Sequence, residues 1–139
     1  MKILVPIDGS QNSLKAVEHA AMLAEKLDDV TVTLSYVIMY EQYVMASPAL
    51  IETVGITKAN EALAVAEEEL KKYNTSIVVD KIVERGSSAA DKIIELAEAG
   101  KYDMIVMGSR GLSNLKRFLM GSVSTRVSQH SPCTVVLVR

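Results

Sequence analysis

Five short runs rich in valine, isoleucine, leucine and methionine limit what this chain can fold into; they fall at residues 3–7, 30–39, 77–83, 104–107 and 134–138. Several are almost unbroken rather than alternating, the pattern of strands covered on both faces, as in a parallel sheet. The segments between them carry a helical period instead. Leu14, Val17, Ala21, Ala24 and Leu27 recur at spacings of three and four, as do Leu63, Ala66 and Leu70 in a helix expected from about residue 49 to 73. In that second helix Glu67 and Lys71 make an i,i+4 pair. A third is signalled by Ser88 and Asp91, at capping-box spacing, ahead of Ile93, Ile94 and Ala97, with Gly100 to stop it. A fourth begins near Gly121 and ends before Pro132. Strand and helix therefore alternate throughout. That predicts an α/β fold: an open five-stranded parallel sheet, Rossmann-like, flanked by helices and wound with right-handed crossovers.

At 139 residues the chain fits one domain, residues 1–139, with no internal repeat, low-complexity tract or linker. The irregular stretch is residues 40–48, long for a strand-to-helix connection and bearing Tyr40 and Tyr43. It reads as a packed surface loop, or as a flap or an interface. The single cysteine, Cys133, excludes an internal disulfide and a cysteine-rich metal module; ahead of an apolar strand it reads as a small core residue. No apolar stretch reaches membrane-spanning length, and the run before Asp8 is too short for a signal peptide, so a cytoplasmic protein with no membrane partner is expected.

The net charge of −2 conceals an asymmetry. Residues 1–103 hold ten cationic side chains against all 17 acids, a balance of −7. Residues 104–139 hold Arg110, Lys116, Arg117, Arg126 and Arg139 with no acid, a balance of +5. Either this last quarter meets something anionic, or its cations pair with the acidic remainder and face water. With no Trp and one Phe, there is no stacking platform among these cations, so nucleic acid is not the expected partner.

In open parallel sheets ligands bind beyond the carboxyl ends of the strands. Here those ends are Pro6-Ile7-Asp8-Gly9-Ser10, the vicinity of Val37, Gly86-Ser87-Ser88, and Met107-Gly108-Ser109-Arg110-Gly111. The last is the richest, because after nine intervening residues come Gly121, Ser122, Val123 and Ser124. Glycines let a backbone approach a ligand closely. A helix opening at Gly121 would present free main-chain N–H groups and a positive dipole end to an anion. The plainer alternative is a loop leading into an ordinary serine-capped helix. Asp8, likewise, is either a ligand contact or an Asx-turn residue ahead of the first helix. It is the only acid expected near the site.

The spacing G-x2-G-x9-G-S follows a strand reading MIVMG, while the chain opens with ILVPIDGS and closes with SPCTVVLV. Together these resemble the universal stress protein family, in its nucleotide-binding branch, over residues 3–138. The resemblance implies strand order 3-2-1-4-5 and ATP (or ADP or AMP) at the strand ends, with Mg²⁺ or Mn²⁺. Pro6, Ile7 and Met107 then belong to the strand ends facing the nucleotide. Asp8 faces ribose or a phosphate-bound metal, and Val37 offers its main-chain amide and carbonyl to adenine. Gly108, Ser109, Arg110 and Gly111 line ribose and phosphates; Gly121, Ser122, Val123 and Ser124 hold the phosphates. Where the family often carries Thr, Ser124 keeps the hydroxyl and loses a methyl. The resemblance also implies a homodimer through the last strand, residues 133–138, with Cys133 and Val138 at its ends.

The expected function is ATP-dependent regulation in a stress response. The alternatives are a slow ATP hydrolase and a dimeric partner-binding module with an empty site. Against hydrolysis, there is no G-x4-G-K-[ST] and so no P-loop lysine. The Gly-Gly signature of related enzymes that split ATP at the α-phosphate is missing after the first strand as well.

Overall fold

The structure, a computed structural model, describes residues 1–40, 47–73, 77–112 and 120–139. Its elements run β1 (Lys2–Ile7), α1 (Gln11–Ala24), β2 (Thr31–Met39), α2 (Pro48–Tyr73), β3 (Val78–Gly86), α3 (Ala89–Ala99), β4 (Met104–Gly108), α4 (Ser122–His130) and β5 (Thr134–Val138). The strands form one sheet in the order β3-β2-β1-β4-β5, parallel at each pairing. This is the expected α/β architecture.

Strand alternation divides the core in two. Ile3, Val5 and Ile7 of β1, with Val32, Leu34 and Val106, pack against Val17, Ala20 and Ala21 of α1 and Leu63, Ala66 and Leu70 of α2. On the opposite face Leu4, Ile105 and Met107 meet Ala90, Ile93 and Ala97 of α3 and Val127 of α4. Fully burying one such side chain is worth about 1.5–3 kcal/mol, so the two apolar layers fix which helix lies on which face. The chain leaves β1 toward one face and β4 toward the other. Where neighbouring strands diverge in this way, a crevice opens between their exits.

One boundary differs from the sequence reading. Helix α1 stops at Ala24, and Leu27, expected on its apolar stripe, is exposed. The chain tightens there through a Lys26 N–H to Leu23 carbonyl bond of 3.1 Å, and Asp29 turns left-handed at φ 54°. Strand β3 runs past its apolar stretch to the expected exit at Gly86, because Glu84, Arg85 and Gly86 pair with Val37, Ile38 and Met39 of β2. Apolar periodicity could not show that extension, since its residues are charged or glycine. Of the 40–48 connection, residues 41–46 lie outside the described residues, as do Lys116 and Arg117.

Candidate functional site

The β1 exit is tied down by short-range bonds. Ser10 caps α1, its hydroxyl accepting from the Ser13 amide at 3.1 Å, while the Ser13 hydroxyl donates to the Ser10 carbonyl at 2.8 Å. Asp8 Oδ1 accepts the Ser10 amide at 2.9 Å, with Gly9 between them at φ 81°. The Asx-turn is therefore present. Only one carboxylate oxygen is used by it, and the other, Oδ2, is turned toward Gly111.

The β4 exit is built against this turn. A Cβ on Gly108 would lie 2.9 Å from main-chain atoms of Asn12 in the first turn of α1, so this glycine serves close packing inside the protein. Ser109 is 5% exposed and acts through its main chain. Its amide donates to the Val138 carbonyl at 2.8 Å, and its carbonyl accepts from the Gly121 amide at 2.9 Å and the Ser124 hydroxyl at 2.7 Å. One peptide segment thus joins the end of β5 to the start of α4.

Gly121 is the N-cap of α4, in extended conformation and with no side chain to cap the helix. Its own amide is taken by Ser109, but the next amides in the first turn have no intrahelical acceptor by helix geometry. A Cβ at Gly121 would meet Arg110, Ser124 and Ser109 atoms only at ordinary contact distances, 3.5–3.6 Å. Among the described residues nothing requires glycine here, in contrast to Gly108 and Gly111. The Ser124 hydroxyl is 2.7 Å from the Ser109 carbonyl and 2.9 Å from the Gly121 carbonyl, so its single proton is committed internally.

These exits surround a cavity of about 900 Å³. Every site residue expected from the sequence lines it except Ser109, which stands behind the wall as described. The cavity also takes in residues the sequence reading passed over. Glu61 of α2 lines it, so Asp8 is not the only acid there, and Lys58 lies beside it on the same helix. A strand-exit argument has no means of placing a distant helix at the mouth. Arg126 did carry a signal: it stands four residues after Ser122 on the predicted fourth helix, hence on the same face. So did Ser35, a hydroxyl two residues before Val37 and on the same side of β2. Ser35 is 1% exposed, and its Oγ has no hydrogen-bond partner among the described residues.

Beside Asp8, Glu61 and Lys58, the cavity takes positive charge from Arg110 and Arg126. Arg126 Nε donates to Asp91 Oδ1 of α3 at 2.6 Å, and this guanidinium is the main influence holding the Asp91 carboxyl below the usual carboxylate range. His130, at the end of α4, is exposed and away from the cavity.

The sequence profile of the universal stress protein family matches residues 1–139. Universal stress protein MJ0531 of Methanocaldococcus jannaschii is 33% identical, over 99% of this chain and 81% of its own length. YxiE of Bacillus subtilis, also a universal stress protein, is 32% identical over 99% and 98%. Among solved structures, UspA of Lactobacillus plantarum superposes with a TM-score of 0.83 at 24% identity, covering 100% of this chain and 97% of that one. A universal stress protein in complex with cAMP gives 0.78 at 24% identity, covering 100% and 97%. An Arabidopsis thaliana family protein with AMP bound gives 0.70 at 18%, covering 99% and 90%.

Proposed function

The chain belongs to the universal stress protein family, and we propose that it is an ATP-binding member, a single nucleotide-binding domain acting as a nucleotide-dependent regulator in a stress response. The observation that carries this reading is the open start of α4: a helix end with no side-chain cap and a glycine that no contact demands among the described residues, facing a cavity of about 900 Å³ at the divergence of β1 and β4. Phosphate oxygens are the natural occupants of such an end. Arg110 and the Ser122 hydroxyl lie beside it. The β1–β2 ladder ends at Tyr36 while β2 continues to Met39 along β3, which leaves the stretch around Val37 without a β1 neighbour and suits it to meet a base edge-on. That relatives have been solved with cAMP and AMP supports an adenine nucleotide.

Among the described residues no group of three His, Cys, Asp or Glu side chains could hold a metal by itself. Mg²⁺ or Mn²⁺ would therefore arrive with the phosphates and take most of its oxygens from them and from water. Asp8 is the carboxylate placed on the side of the Gly108–Gly111 loop to complete that shell. We read the protein as a binder rather than a hydrolase, because the chain brings no P-loop lysine to the phosphates. The outer edge of β5, with Val135, Val136, Leu137 and Val138 half-buried, is the surface for a homodimer.

Thermal unfolding with Mg-ATP and with Mg-GTP tests the reading. A ligand at 100 times its dissociation constant stabilises by about 2.7 kcal/mol, a rise of roughly 5 °C or more for a chain this size. The rise is expected with ATP alone. No shift, and no nucleotide released on denaturation, would refute it.

A further inference from the structure

Arg126 joins two helices at the cavity rim. Its side chain lines the cavity, whereas Asp91, its partner in the first turn of α3, lies outside the wall. Both side chains are about half exposed, at 56% and 43%. The bond uses Nε, one of five guanidinium N–H donors. Side chains on a helix lean toward its N-terminus, so Arg126 covers the turn that begins at Ser122, where the open amides are.

We propose that Asp91 and the nucleotide's phosphates compete for Arg126, which makes this ion pair a selector of phosphate number. The inference rests on the nucleotide reading above. With a monophosphate at the helix start, Arg126 stays with Asp91. With a di- or triphosphate, the guanidinium turns from a single exposed carboxylate to the extra phosphate oxygens. Exposed carboxylate pairs of this kind hold weakly, whereas a guanidinium fork on phosphate makes two charge-assisted bonds. Release costs Asp91 little, because a carboxylate in the first turn of α3 remains favoured by the helix dipole. Charge distribution points the same way. Residues 104–139 contain no acid, so the counter-charge for Arg126 in the ligand-free protein has to come from another element. Opening the pair also removes the Arg126–Asp91 tie between α3 and α4 at the surface while their shared apolar contacts remain, so the phosphate state of the nucleotide is displayed on two exposed side chains.

Calorimetric titration of the full chain with ATP, ADP and AMP tests this, in the parent protein, Arg126→Gln, Asp91→Asn and the double variant. Arg126→Gln is expected to weaken ATP about fivefold while leaving AMP within about twofold. Asp91→Asn is expected to tighten ATP about threefold, and to have no effect once Arg126 is gone. An unchanged ATP-to-AMP ratio in Arg126→Gln, or an equal effect of Asp91→Asn with and without Arg126, overturns the selector alone. If the parent binds none of the three nucleotides, the nucleotide reading fails and the selector with it. Circular dichroism of each variant separates lost binding from lost folding, and both positions are exposed enough for the fold to persist.

Discussion

Asp8 and Gly111 occupy adjoining space: a Cβ on Gly111 would collide with Asp8 Oδ2, while the other oxygen of that carboxylate is held by the Ser10 amide. The turn after β1 and the loop after β4 are thus fitted to each other through one carboxylate and one missing side chain. Gly121 stands nearby with ordinary contact distances around it.

Glycine replacement should therefore separate two kinds of loss. Gly111→Ala is expected to cost about 1–3 kcal/mol of stability, as overpacking does, and to weaken nucleotide binding by displacing Asp8. Gly121→Val should cost no more than about 1 kcal/mol, that of a poorer N-cap on an extended backbone, yet abolish binding. Urea midpoints paired with ATP titrations measure both. If Gly121→Val binds ATP with parent affinity while folded, the open helix start is not the phosphate site.

Ser35 buries a hydroxyl that has no partner among the described residues. Ser35→Ala removes that burden and is expected to stabilise the ligand-free protein by about 1 kcal/mol. Chemical denaturation without nucleotide reads the effect directly. A loss of stability would mean that the hydroxyl is satisfied in solution.

Glu67 receives hydrogen bonds from Lys71 and Lys81, which lower its carboxyl from an ordinary 4.5 to about 2 and tie α2 to edge strand β3. A depressed folded-state value means that the unfolded chain binds the proton first as pH falls. The stabilisation is therefore complete above about pH 4.5 and is lost as pH drops toward 2. Glu67→Gln should flatten this part of the acid-unfolding curve and leave stability at pH 7 slightly lower, since the pairs are largely exposed.

For assembly, Val136→Asp should weaken the dimer by setting an unpaired charge at the β5 edge. Val136 also packs partly against the α1-side core, so the fold has to be followed in parallel. Light scattering at micromolar concentration, with circular dichroism beside it, separates dissociation from unfolding. A parent protein that is monomeric at that concentration would dismiss the β5 interface.

Much of this architecture was legible because its signals are local. Unbroken valine and isoleucine runs mark strands covered on both faces, and Ser88 caps α3 as expected, whereas at its other end Gly100 stays right-handed at φ −80° and the left-handed turn falls to Lys101. The cavity wall was legible for the residues at strand ends, since a parallel sheet places its strand exits at one edge. Less was available where a residue's role depends on what arrives from elsewhere. Gly108 is glycine because of Asn12, ninety-six positions earlier, and Ser109 works through main-chain atoms that any residue possesses. Glu61 and Lys58 reach the cavity from a long helix whose placement no local pattern records.

The bonds of Ser109 have a further consequence. Its amide is fastened to the last residue of the sheet's outermost strand, and its carbonyl to the first peptide of the helix that opens on the cavity. The edge where a second copy would dock and the mouth where a ligand would enter hang from the same link of backbone. Any mechanical conversation between those two surfaces has a wire one residue long.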